Sequence, residues 1–177
     1  MTTHPATIFQ HASPDSPARV HYMQALLRQD YARALGPLHT AIADNDARAM
    51  GLLGTLYMLG HGVTQDAQTA YGWFRHGAVR GDLPSQTALG LCLASGRGTA
   101  LNRPEAVFWL GHAARAGVTV ARETLDWLLR QHPDLVGEHV AHDQLSAVVR
   151  PTPAGPAARR AYGWAACVSA KRHRQGG

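Results

Sequence analysis

A phrase written twice constrains this chain more than any other feature. "LGTLYMLGHGV", Leu53 to Val63, returns as "LGLCLASGRGT", Leu89 to Thr99, thirty-six residues further on. At that offset Leu53, Gly54, Gly60 and Gly62 meet Leu89, Gly90, Gly96 and Gly98, and Ala70, Trp73, Ala78 and Gly81 meet Ala106, Trp109, Ala114 and Gly117. Asp66 is matched by Asn102. A fixed period of this length means one supersecondary unit used repeatedly, because a single copy cannot bury its own apolar face.

The spacing inside each copy is helical. Leu53, Leu56 and Tyr57, like Leu89, Cys92 and Leu93, lie three and four apart on one stripe, and Ala70, Trp73 and Phe74, like Ala106, Trp109 and Leu110, form a second. Each copy therefore predicts two amphipathic helices. The glycine pairs between them suit a left-handed helix end, and Asp66 and Asn102 stand where a side-chain oxygen caps the second helix, with Pro104 tolerated in its first turn. Asp46 and Asp82 take the same capping role for the first helices. Gly54 and Gly90 fall inside a helix, where glycine costs about 1 kcal/mol relative to alanine. Their recurrence implies a neighbouring helix too near for a methyl group, with Trp73 and Trp109 expected to fill the complementary space.

The arrangement "LGTLYMLGHGVTQDAQTAYGWFRHGAVRG" followed by "LGLCLASGRGTALNRPEAVFWLGHAARAG" resembles the Sel1-like repeat, an α/α unit of the tetratricopeptide-like superfamily. The match is strong from Ala47 to Gly117. Weaker echoes place an earlier unit at Ala18–Gln29 and "DYARALGPLHTAIADND", and a later first helix at "ARETLDWLLRQHP", stopped near Pro133. The resemblance implies an all-α, right-handed α/α solenoid of about three and a half helix-turn-helix repeats with atypical capping helices. Residues 1–17 are expected to be a flexible N-terminal segment and 18–150 the solenoid. Residues 151–177 read as a modified turn, "PTPAGP", plus a basic C-terminal capping helix built around "AYGWAA", or as a disordered basic tail.

Charge narrows the choice of partner. The net +5 is concentrated at one end: from Arg150 onward there are six basic residues and no acid, whereas residues 1–149 hold eleven basic and twelve acidic ones and carry −1. A neutral body disfavours nucleic acid as a partner, leaving the basic end with Tyr162 and Trp164 as the alternative nucleic-acid surface. No apolar run is long enough to span a bilayer and the start shows no signal pattern, so the expectation is a cytoplasmic protein with no membrane contact, monomeric or weakly dimeric.

Chemistry-bearing constellations are absent from the pattern. "EHVAHD" brings Glu138, His139, His142 and Asp143 to one helical stretch, but only two histidines are local and a metal needs three or four convergent ligands. His61, His76, His112 and His132 are read as scattered and not preserved between copies. Cys92 and Cys167 are expected to be small buried thiols. No catalytic residue, metal or cofactor is therefore predicted.

What remains is a binding surface. In the architecture the chain resembles, first helices line the inside of the curve. The candidate partner-binding residues are accordingly Met50, Thr55, Met58 and Leu59 in one copy, Gln86, Leu91 and Ser95 in the next, and Arg122, Trp127 and Arg130 in the third. The expected function is non-catalytic: an adaptor or scaffold binding a protein or peptide. An inhibitor of a bacterial toxin or secreted effector is the alternative within the same class.

Overall fold

The computed structural model describes residues 16–136, and within them the chain forms seven α-helices and no strand. They are α1 (Pro17–Leu27), α2 (Tyr31–Ala43), α3 (Ala47–Leu59), α4 (Ala67–Val79), α5 (Leu83–Ser95), α6 (Arg103–Arg115) and α7 (Thr119–Gln131), followed by a short 3-10 turn, Pro133–Leu135. From α2 to α7 every helix has 13 residues, and α2, α4 and α6, like α3, α5 and α7, start 36 residues apart. The expectations for residues 1–15 and for everything after Val136, including the "EHVAHD" cluster, Cys167 and the "AYGWAA" helix, lie outside the described residues.

Two kinds of connection alternate, and local chemistry sets both. The long ones, Gly60–Asp66 and Gly96–Asn102, begin on left-handed glycines, Gly60 at φ 74° and Gly96 at φ 69°. Each is closed by the same bond: Asp66 N–H donates to the Tyr57 carbonyl at 3.0 Å, and Asn102 N–H to that of Leu93 at 2.9 Å. Asp66 and Asn102 then cap α4 and α6, as their position predicts. The Thr69 hydroxyl and backbone N–H on Asp66, with the Gln68 N–H, hold its carboxyl below the usual carboxylate range. The short connections pass through Asn45 at φ 60°, Gly81 at φ 87° and Gly117 at φ 91°, again 36 residues apart. Asparagine is among the residues that visit this region most readily after glycine.

The described helices divide into two compact units meeting at Asp82 and Leu83. In the first, α1 packs on α2, α2 on α3 and α3 on α4, around Tyr22, Ala34, Leu38, Ala41, Ala49, Leu53 and Leu56. In the second, α5 packs on α6, and α7 on both; Leu89, Leu93, Val107, Leu110, Val118, Leu125 and Leu128 are buried.

The mid-helix glycines are explained, with a correction. A Cβ on Gly54 would stand 2.9 Å from the Phe74 ring, and one on Gly90 would stand 2.6 Å from Leu110 Cγ. The residues filling that space are thus Phe74 and Leu110, one position beyond the expected tryptophans. A step of one residue turns a helical side chain by about 100°, so Trp73 and Trp109 lie beside the seam and are half-buried. Trp73 packs on the edge of the first core, and Trp109 Nε1 donates to Glu105 Oε1 at 3.4 Å.

The N-terminal hairpin departs from the pattern. Only Arg28–Asp30 separate α1 from α2, with Gln29 at φ 58°, and α1 ends at Leu27, two residues earlier than expected. The tie holding α1 in place is the buried Tyr22 hydroxyl, which donates to Asp46 Oδ2 at 3.1 Å. Asp46 Oδ1 meanwhile accepts from the N–H groups of Arg48 and Ala49 at 2.9 and 3.3 Å, capping α3. Burial, and then the Asp46 charge, push the Tyr22 phenol far above its ordinary range. It stays a donor at every physiological pH.

Candidate functional site

Helical phase sorts the ten candidate binding residues onto three stripes. Thr55 and Leu59 on α3, Leu91 and Ser95 on α5, and Trp127 on α7 share the first. Met50, Gln86 and Arg122 share the second, one turn before Gly54, Gly90 and Asp126, on the stripe that in α3 and α5 faces the following helix. Met58 and Arg130 share the third.

Burial divides the second and third stripes between α3 and α5 on one hand and α7 on the other. Met50, Met58 and Gln86 are only 4, 5 and 4% exposed, so in this state they present almost nothing to a partner. Thr55, Leu59 and Leu91 are half-exposed and Ser95, Arg122 and Arg130 exposed. Trp127 is 53% exposed, whereas every other tryptophan among the described residues is half-buried.

The first stripe is more apolar than its composition suggests. The Thr55 hydroxyl donates to the Gly51 carbonyl at 3.0 Å, that of Ser95 to Leu91 at 2.6 Å, and that of Thr124, on the same side of α7, to Val120 at 2.8 Å. Three hydroxyl donors are therefore directed back into their own helices. In the second unit, where α7 packs beside α5, this side offers Leu91, Val120 and the Trp127 ring. On α7 the neighbouring surface is charged, with Arg122, Glu123, Asp126 and Arg130 all exposed.

Other candidate chemistry resolves into structure. Burial pushes the Cys92 thiol up to about 11, only partly opposed by Arg97, so it is a protonated core side chain rather than a nucleophile. The histidines are less scattered than the sequence reading had them: His76 and His112 occupy the same repeat position. Each leans on an aromatic ring of its own helix, His76 on Trp73 at 5.9 Å between centroids and His112 on Phe108 at 6.1 Å. Burial, and then Arg115, hold His112 below the ordinary histidine range. The shift of 36 already used for the glycines would have shown this recurrence. Among the described residues no three His, Cys, Asp or Glu side chains gather as a metal site, and no helix is long and apolar enough to cross a membrane.

Helical hairpins with a recurring capped second helix, a left-handed glycine exit and a glycine seam define an α/α repeat protein. Residues 47–81 and 83–118 match the Sel1 repeat model. Among solved structures the chain is similar to a Sel1 repeat protein from Oxalobacter formigenes, with 37% identity, a TM-score of 0.53, and coverage of 55% of this chain and 28% of that one. It is also similar to a protective antigen of uropathogenic Escherichia coli strains displaying an SLR fold, with 18% identity, a TM-score of 0.66, and coverage of 78 and 34%. Cysteine-rich protein B of Helicobacter pylori aligns at 19% identity with a TM-score of 0.50, over 63% of this chain and 99% of that one. The last two establish the fold alone. The chain spans about a third or less of the first two proteins. A comparison with curated proteins finds no match.

Proposed function

We propose that this protein is a non-catalytic binding module, an adaptor or scaffold that captures an apolar or aromatic segment of another protein. Capture takes place on the α5 and α7 side that carries Leu91, Val120 and Trp127. The observation that supports this reading is Trp127 itself: an indole left 53% exposed on a packed helix, beside hydroxyls whose protons are already committed. Tryptophan is the residue type that most often anchors protein interfaces, because it contributes a large area at little conformational cost. Sel1 repeats serve in general as protein-interaction units, which agrees with the buried thiol and the lack of a catalytic constellation among the described residues.

The test is affinity capture by the whole protein, compared with Trp127→Ala and with Val79→Ala, a change at a 63% exposed apolar residue on α4. Loss of the captured protein with Trp127→Ala but not with Val79→Ala supports the reading. Equal capture by all three forms refutes it. The truncation is expected to weaken binding by about 2 kcal/mol or more, roughly thirtyfold.

A further inference from the structure

The outward side of α7 carries a pattern that no other described helix repeats. Glu123, Asp126, Trp127 and Arg130 are all exposed, and they follow one another at i, i+3, i+4 and i+7, the spacing with which one helix meets another. The opposite side of α7, with Ala121, Leu125 and Leu128, is buried in the second unit. Among the described helices, α7 alone sets a carboxylate and a guanidinium seven residues apart. Seven residues are two turns, about 10 Å, so the two charges stand in line on one face with Asp126 and Trp127 between them.

We propose that this row pairs, antiparallel, with the same row of a second copy of the chain. Charge selects both the occupant and the orientation. A two-fold axis passing between residues 126 and 127 lays Glu123 opposite Arg130 of the second copy, and Arg130 opposite its Glu123, so one charge-assisted pair forms twice. A parallel alignment would instead set each charge against its own kind. Trp127 stands about 100° around the helix from Asp126, hence on the other flank of the seam. The two indoles therefore meet on one side of the axis, where each loses water, while the two Asp126 carboxylates stay hydrated at the opposite rim. The contact is small: a 13-residue helix, about 20 Å long, offers well under the roughly 800 Å² per partner of a stable interface. The pair is accordingly weak and exchanges with free copies. Self-pairing does not require the capture of another protein, but both use the Trp127 ring. A high concentration of copies would thus close the capture surface, and a bound partner would open the pair.

The test is sedimentation equilibrium of the full chain, taken up to about 1 mM so that weak association is included. It is repeated with Glu123→Arg and with Arg130→Glu, both at exposed positions. The wild type should self-associate. Each variant alone should do so about tenfold or more weakly, because all four facing charges then have one sign. An equimolar mixture of the two variants should regain the wild-type association, since one chain brings two arginines and the other two glutamates. That recovery also excludes misfolding as the cause of the loss. A wild type that stays monomeric at the highest concentration would overturn the pairing, as would single variants that associate like the wild type. A mixture no stronger than its components would overturn it as well.

Discussion

Helices α5 and α7 occupy the same place in successive repeats yet meet different surroundings. Gln86 and Gly90 of α5 are buried on the stripe that receives α6, and a single added carbon at Gly90 would collide with Leu110. At the equivalent points α7 has Arg122 and Asp126, both exposed. The comparison teaches that the seam residues decide which helix face can take a neighbour at contact distance. Small or neutral residues admit the next helix at contact distance, whereas a carboxylate there would have to be stripped of water.

Exchanging the two seam residues should break the symmetry of this comparison most sharply. Gly90→Asp places an unpaired carboxylate between α5 and α6 and is expected to cost about 3–5 kcal/mol in urea unfolding followed by circular dichroism. The reverse change, Asp126→Gly, should move stability by no more than about 0.5 kcal/mol, the scale of helix propensity alone. Comparable losses would mean that the exposed side of α7 is covered after all.

A smaller contrast lies on the core side, where α5 has Cys92 and α7 has Leu128, both buried. The folded thiol titrates at about 11 against 9.0 for an ordinary cysteine. Its contribution is therefore intact below pH 9 and is lost as pH rises from there towards 11, by up to about 2–3 kcal/mol. Comparing the wild type with Cys92→Leu across that window isolates this part from the ionisation of Tyr22, which weakens the fold in the same direction. If the two proteins lose stability in parallel, the thiol is not the cause.

Capping sharpens the comparison further. Helix α7 has Val118 at its N-cap and no side-chain cap, while Asn102 caps α6. Asn102→Ala should lower stability by about 1 kcal/mol in the same unfolding measurement. Smallest of all should be the effect of Trp127→Ala on stability, within about 0.5 kcal/mol, since the ring is largely outside the packing. A cost above 1 kcal/mol would place Trp127 in the core and remove it as a partner anchor.

Much of the fold was legible because its period is rigid. Once Gly54 and Gly60 were aligned with Gly90 and Gly96, the helices, the caps at Asp46, Asp66 and Asn102 and the glycine exits followed from chemistry that acts within a few residues. Contacts between elements were less accessible. The seam partner of each glycine lay one residue from the expected tryptophan, because apolar type alone does not say which of two adjacent bulky residues points inward. Tyr22 lies in a hairpin that lacks the repeat's signature, 24 residues before the α3 cap Asp46, so no period linked them. Among the binding candidates, membership of a first helix was legible but the stripe was not: Met50 and Gln86 look as available as Leu91 until Gly54 and Gly90 reveal which side the next helix takes.

The constant 13-residue helices, with both kinds of linker recurring at a fixed interval, bear on how such a chain can change length. Excising or duplicating any 36-residue block between α2 and α7 rejoins a helix to its own counterpart at the same angle of rotation, wherever the cut falls. Genetic gain or loss of whole blocks is thus mechanically silent at the joint, and evolution can lengthen the protein without first inventing a new junction.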